Sequence, residues 1–445
     1  MKSIISVIIV LLLLLLNSCN PEQTSTDQKL DKILSELSID QKVKQAVLIH
    51  IIYSNLWDEN GNMKMDMADS LLADGAGMIG IIAHHLNPKD FAQKIWEVQN
   101  YLINKSKPGI PALVYGEALH GFKTRGGTHF PQAIAMASSW DTAMIRKVYS
   151  IAAIEMRAVG ANQALTPVLG LAREPRWGRY EELFSEDPYL VSRMGVSAVK
   201  GFQGKNPERI GSDHVVSTIK HYVAFSQPEG GRNKAPVNVG ERTIREFFLF
   251  PFEAAVKEGK AQSVMASYNE LDGIPVHASK KYLTEILRNE WNFDGYVTGD
   301  LKGLEMLYEK HKVAEDLKTA GKIGITAGVD LDLCSSNGTF YHLPDLIKDN
   351  ALDEKTLNRA VKRILLVKDK LGLLDEKFEA PRSTSIVNCD EHKKFAYEVA
   401  CNSAILLKND NKLLPLNINK LSSIAVIGPN AADIHLGAYS YEPRE

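Results

Sequence analysis

From about residue 40 to residue 372 the chain alternates short apolar runs with helix-length amphipathic segments. The apolar runs at 46–52, 77–82, 112–115, 164–167, 215–221, 263–268, 295–298 and 328–333 read as strands. Between them, apolar positions at helical spacing predict helices over 88–104, 142–159, 188–203, 242–258, 280–290 and 314–323. A last helix is expected over 353–370, where Leu357, Val361, Ile364, Leu365 and Lys368 keep the spacing and Gly372 stops it. Eight strands alternating with helices predict an α/β fold, a (β/α)8 barrel of the TIM type.

After Leu374 the pattern changes. Residues 375–388 are polar and contain Pro381, as a linker would. A helix is expected over 391–401, then a short segment at 404–408 and a strand at 424–429. The stretch to Glu445 is too short to bury a core of its own. It reads as the incomplete opening of a second α/β sandwich domain, which leaves apolar surface at Ile424–Ile427 exposed. At the other end, Lys2 precedes an apolar run from Ile4 to Leu16. That is shorter than the roughly 20 residues of a membrane span and fits an export signal. The junction Leu16-Asn17-Ser18-Cys19 resembles a bacterial lipoprotein signal, with Cys19 lipidated, although ordinary secretory cleavage leaves Cys19 incidental. The expected division is signal peptide 1–19, tether 20–29, barrel 30–374, linker 375–400 and second-domain start 401–445. The expected location is exported, on a membrane at a periplasmic or cell-surface face.

Composition changes this picture little. Of 445 residues 44% are hydrophobic and 24% charged, as in an ordinary globular chain. With 52 basic against 54 acidic residues, the net charge of −2 argues against a nucleic-acid surface. Cys334, Cys389 and Cys401 are an odd number without metal-ligand spacing, and no disulfide framework is expected. The chain has no phosphate-cradling glycine loop and no His-Glu-x-x-His helix, so neither metal nor cofactor is expected.

The chemistry gathers at strand ends. The β-branched and aromatic run Phe293–Asp300 stops on a carboxylate, where barrel enzymes keep their reactive groups. Strand three delivers Glu117 and His120, strand five Lys220 and His221, and strand six Met265, Tyr268 and Asn269. The loop after strand four carries Arg173, Arg176, Trp177, Arg179, Glu181 and Glu182. Each has a structural explanation alone: Asp300 as a helix cap, Lys220–His221 as a satisfied core pair, the arginine loop as a salt-bridge knot. Converging on one rim, they suit a polyol. Carboxylates accept from sugar hydroxyls, cations donate to them, and aromatic faces cover the apolar side of the ring. A metal-free glycosidase with a carboxylate nucleophile is the economical reading.

These residues lie in long ordered motifs: EALHG (117–121), THFPQAIAMASSWD (128–141), EPRWGRYEELFSEDP (174–188) and IKHYVAF (219–225). They continue with PFEAAVKEG (251–259), VMASYNELDGIPVHAS (264–279), GYVTGDLKGLE (295–305) and AGVDLDL (327–333). Together they resemble glycoside hydrolase family 3, most closely its exo-acting β-glucosidase and β-xylosidase branch. The resemblance implies that Asp300 is the nucleophile of a covalent glycosyl-enzyme. It places Glu117, Arg179, Lys220, His221, Tyr268 and Met265 in the sugar pocket, with Tyr268 beside the nucleophile. The implied partner is an oligosaccharide or glycoside, besides the membrane lipid attached at Cys19.

The chain departs from the family pattern at three places. Gly299 precedes Asp300 where many relatives carry Ser, and Lys302 stands where relatives often have a small residue. Glu117 replaces an Asp common in glucosidases, and its longer side chain favours a pentose, which keeps β-xylosides or α-arabinosides open. The resemblance also implies that the general acid comes from the second domain, outside this chain. A single-domain branch acting on N-acetylglucosamine uses a His in the loop after strand five; here Ser226–Pro236 has none, and Glu229 is its only carboxyl group. An N-acetylhexosaminidase or phosphorolytic activity is therefore disfavoured. The alternative from another class is an impaired, sugar-binding lipoprotein of the same family.

Overall fold

The computed structural model describes residues 21–51, 54–80, 86–375, 383–432 and 436–441. The signal segment and Cys19 lie outside them. Seven strands form one parallel sheet in chain order: β1 (Leu48–Ile49), β2 (Met78–Ile79), β3 (Leu113–Gly116), β4 (Gln163–Ala164), β5 (Val216–Tyr222), β6 (Ser263–Ala266) and β7 (Tyr296–Thr298). The sheet curves as a TIM-like half-barrel, with helices between successive strands.

The expected eighth strand at 328–333 is present only as paired backbone. Leu331 bridges to Thr298 and Asp332 to Val47, both parallel, so this segment stands between the last strand and the first. Side chains hold it there. The Asp330 carboxylate accepts from Arg288 at 2.6 Å, Arg363 at 2.9 Å and the Val297 N–H at 2.8 Å. The fully buried Asp332 accepts from the Thr339 N–H and hydroxyl and the Phe340 N–H. Burial pushes the Asp332 carboxyl up to about 7, Glu305 adding to the shift while the hydrogen bonds oppose it. Because the folded value exceeds the unfolded one, this contribution to stability is complete below the ordinary carboxylate range and is lost as pH rises through about 7. The thermal midpoint is accordingly expected to fall between about pH 5 and pH 8, and less steeply in Asp332→Asn; equal slopes in the two proteins would refute this role.

The helices start where local chemistry allows. Asn87 and Asp187 cap α2 (Pro88–Asn104) and α4 (Pro188–Gln203), each accepting an N–H of the first turn, and each helix begins on a proline. Asp141 caps α3 (Thr142–Ala158) in the same way. α4 ends at Gly204, whose φ of 79° suits glycine. The helix expected at 314–323 is shifted to α5 (Leu317–Ala327), where Asp316 provides the cap. The helix expected over 242–258 is interrupted by a π-turn at Ile244–Phe248.

Two expectations at the ends of the chain are corrected. The stretch read as a tether belongs to α1 (Pro21–Glu36), which Lys362 and Asp369 of α6 (Glu354–Lys370) hold through Asp27, Asp31 and Lys29. The strand expected at 424–429 is not formed: Val426 is 74% and Ile427 91% exposed. A lone strand has no neighbour to take its backbone hydrogen bonds. α7 (Asp390–Asn402) does form and is fastened to the barrel by His392, 2.7 Å from the buried Glu155 carboxylate, which also accepts from Thr128 and the Asn388 N–H. Among the described residues no helix is long and apolar enough to cross a membrane.

Candidate active site

The carboxyl ends of β3, β5, β6 and β7 and the loop after β4 bring most of the expected residues together. β5 ends on Lys220, His221 and Tyr222, and its register against β6 breaks between Ile219 and Tyr222. Such a break relaxes the strict in–out alternation of a strand. Both Lys220 and His221 reach the cluster. The Lys220 ammonium, with a side chain 2% exposed, meets Glu117 Oε2 at 2.8 Å. Burial is the largest influence on that ammonium and works against it, but the charge of Glu117, Tyr439, the hydrogen bond to Glu117 and the charge of Glu182 together outweigh it and lift Lys220 above the ordinary lysine range.

Arg179 is held in place by Glu182 through two parallel bonds of 2.7 and 2.8 Å. The same guanidinium places Nη2 3.1 Å from His221 Nε2. Arginine can only donate, so this His221 nitrogen accepts and carries no proton. Burial first, then the neighbouring Arg179 and Lys220, holds His221 well below its usual range, and the ring is neutral.

Asp300 follows β7 and lies 3.7 Å from His221 Nε2, with its side chain 13% exposed. One oxygen accepts the Leu301 N–H at 2.7 Å; the other, Oδ2, is buried and has no hydrogen-bond partner among the described residues. Burial raises the Asp300 carboxyl above its ordinary range, against the pull of Lys220, Arg179, Tyr268 and the Leu301 N–H. Tyr268 donates its hydroxyl to the Leu301 carbonyl at 2.7 Å, which fixes the ring beside the carboxylate.

An aromatic shelf backs the cluster. Trp177 meets Phe225 edge-on at 5.2 Å, and Phe225 meets Tyr268 at 5.8 Å. The Arg179 guanidinium lies 5.2 Å over the Phe225 ring. Met265 is the expected pocket residue that does not join this group: it packs in the main apolar core on β6, whereas Met306 packs with Trp177, Phe225 and Tyr268. Glu229 lies in the loop after β5 and accepts from Asn238.

Two contributors were not singled out in the sequence. His277 Nε2 accepts the Asp300 N–H at 3.2 Å, and burial holds this ring down to about 3, so it stays a neutral acceptor. Its signal was its place in the motif running from 264 to 279. Tyr439 reaches the cluster from far along the chain, its hydroxyl 3.5 Å from Arg179 Nη2, and no local pattern marked it.

The Glycosyl hydrolase family 3 N terminal domain matches residues 38–367. A β-xylosidase of Formosa agariphila is 41% identical over 352 residues, 76% of this chain and 49% of that protein. A solved β-glucosidase from Erythrobacter marinus superposes with a TM-score of 0.88 at 34% identity, over 93% of this chain and 54% of that one. A β-glucosidase from Listeria innocua in complex with glucose gives 0.78 at 28% identity, over 87% and 53%. The chain spans about half the length of the curated relatives it matches.

Proposed function

The chain belongs to glycosyl hydrolase family 3, and from that premise we propose that its barrel is the nucleophile-bearing part of a retaining exo-β-glycosidase acting on terminal β-D-glucosyl or β-D-xylosyl residues. The observation that carries this reading is the Asp300 carboxylate at the end of β7, with Oδ2 unpartnered and Arg179 and Lys220 close enough to act on its charge. In the first step a carboxylate oxygen of Asp300 bonds to the anomeric carbon as the glycosidic C–O bond breaks and the leaving group departs with its electron pair. Water then attacks the anomeric carbon and gives up a proton to the solvent, and the bond to Asp300 breaks with its electron pair returning to the carboxylate; this second inversion restores the β configuration.

The surrounding groups suit that task. A carboxylate largely stripped of water is a better nucleophile than a solvated one, provided that nearby cations keep it ionised. Arg179 and Lys220 provide those charges, and both retain N–H donors for sugar hydroxyls. Neutral His221 adds a polar contact without adding positive charge. The shelf of Trp177, Phe225 and Tyr268 suits the apolar face of a pyranose. A retaining pair of carboxyl groups stands about 5–5.5 Å apart. The informative substrates are those whose leaving group departs unprotonated, because their cleavage depends on the nucleophile and not on a proton donor. From the sequence we further place the protein as an exported lipoprotein anchored through Cys19.

The test is covalent trapping. The full chain is incubated with an activated 2-deoxy-2-fluoro-β-glucoside, and separately with the xyloside, and digested for peptide mass mapping. A sugar on the peptide containing Asp300 is expected, and the faster of the two reagents identifies the accepted ring. Sugar binding without any adduct would exclude the glycosidase reading and leave a binding protein of the same family.

A further inference from the structure

The loop after β5 closes one side of the mouth and holds a lysine there. Its backbone turns back on itself: the Glu229 N–H donates to the Pro236 carbonyl at 3.0 Å, that of Arg232 to Glu229 at 3.2 Å and that of Ala235 to Arg232 at 3.0 Å. Two contacts fasten it to the loop after β4. The Trp177 indole donates to Asn233 Oδ1 at 3.0 Å, and a Cβ on Gly231 would sit 2.6 Å from the Cβ of Arg176. Lys234 follows with a φ of 67°, a left-handed conformation that lysine rarely adopts. Its carbonyl accepts from the Lys310 ammonium, beyond β7.

Held in this way, the Lys234 ammonium stands 3.9 Å over the Tyr268 ring, whose hydroxyl is bonded to the Leu301 carbonyl next to Asp300. Among the described residues this ammonium forms no ion pair. Its cationic neighbour is Lys310. Burial, and then the charge of Lys234, push the Lys310 ammonium below its ordinary range against the pull of Glu270.

Depth separates this corner from the sugar seat. The Lys220 and His221 side chains are each 2% exposed, whereas Lys234 is half-buried and Leu301 is 45% exposed. In an exo-acting pocket the terminal sugar takes the deep end, and the rest of the substrate leaves past the rim. A leaving group on its way out therefore meets the apolar Leu301 side chain and the Lys234 ammonium together.

We infer that Lys234 is a specificity-determining residue for the leaving group, giving the site a preference for aryl glycosides whose aromatic ring bears a carboxylate. The inference rests on reading the barrel mouth as the sugar seat of a glycosidase. The aryl face covers Leu301, and the carboxylate accepts a charge-assisted hydrogen bond from Lys234. A neutral leaving group leaves that ammonium only the π-face of Tyr268. A carboxylate at this place also offsets the repulsion between Lys234 and Lys310.

The test measures dissociation constants on the full chain by titration calorimetry. The ligands are 4-carboxyphenyl and 4-carbamoylphenyl 1-thio-β-D-glucoside, with the matching xylosides. The two aryl groups share a shape and differ in charge, and the sulfur linkage resists cleavage, so binding is read without chemistry. Wild type is expected to prefer the carboxylate about fivefold, as one ion pair at a half-open site provides. Lys234→Gln is expected to bind the pair alike, and Lys234→Arg to keep the preference. A lysine that only supports the loop would, when replaced, weaken both ligands together and leave their ratio unchanged, which would overturn the inference. Equal binding of the pair by wild type would overturn it too, as would no binding of any ligand. Labelling at Asp300 is a separate measurement. A chain that labels but shows no preference refutes this inference alone; one that shows the preference but never labels refutes the proposed reaction alone.

Discussion

With Asp300 replaced by Asn, hydrolysis of activated aryl β-glycosides is expected to fall by at least about 10³-fold, because the attacking atom is gone while the seat remains. The same substitution is expected to raise the thermal midpoint. Burial lifts the Asp300 carboxyl above its ordinary value, so at neutral pH its ionised form costs the folded state more than the unfolded one. Asn removes the charge and keeps the shape. Opposite signs for activity and stability are the mark of a group retained for chemistry, and a fall in both would make Asp300 a structural residue. In the wild type the raised carboxyl also sets the acid limb of kcat/KM. Activity is lost as pH falls through a value above the ordinary carboxylate range, where the nucleophile takes up its proton.

The second large effect is expected at Glu117. Its carboxylate is the acid paired with the Lys220 ammonium, which is otherwise faced by the Tyr439 ring. Glu117→Ala strands a buried charge, at a cost of about 3 kcal/mol. For a chain of this size that corresponds to a fall in melting temperature of roughly 3 °C. The double substitution Glu117→Ala/Lys220→Met removes both charges and is expected to regain most of the loss while leaving sugar binding weak. Melting temperatures of the four proteins in the cycle decide the matter. If the double variant is no more stable than Glu117→Ala, the ion pair is not what the fold depends on.

Both predictions concern residues visible in the sequence, and the reason is local. Asp300 was legible because a short β-branched run ends on it, and strand ends of a parallel sheet share one rim. The helix starts at Pro88 and Pro188 were legible because a capping side chain and a proline act within one turn. The parallel α/β order followed from the alternation of strand and helix patterns, each of which needs only a dozen or so neighbouring residues to declare itself.

What remained hidden depended on contacts between distant parts of the chain. Met265 and Met306 are equally apolar, and only the packing of β6 decides that the first enters the core and the second joins the aromatic shelf. The polar stretch before Lys29 looked like a tether; ion pairs to Lys362, more than 300 residues away, hold it as part of a helix. The apolar run at Ile424–Ile427 has the composition of a strand but pairs with no strand among the described residues, and it stays exposed. Tyr439 carries no motif, and its place beside Arg179 depends on a clamp whose partners, His120, Gln132 and Glu181, lie some 250 to 320 residues earlier. The sequence by itself therefore determined the alternating elements, the family and the strand-end carboxylate, because each rests on short-range pattern and spacing. The tertiary structure alone decided which side chains face the seat, which acid pairs with which base, and what closes the mouth, because those outcomes are set by burial and by partners that the linear chain keeps far apart.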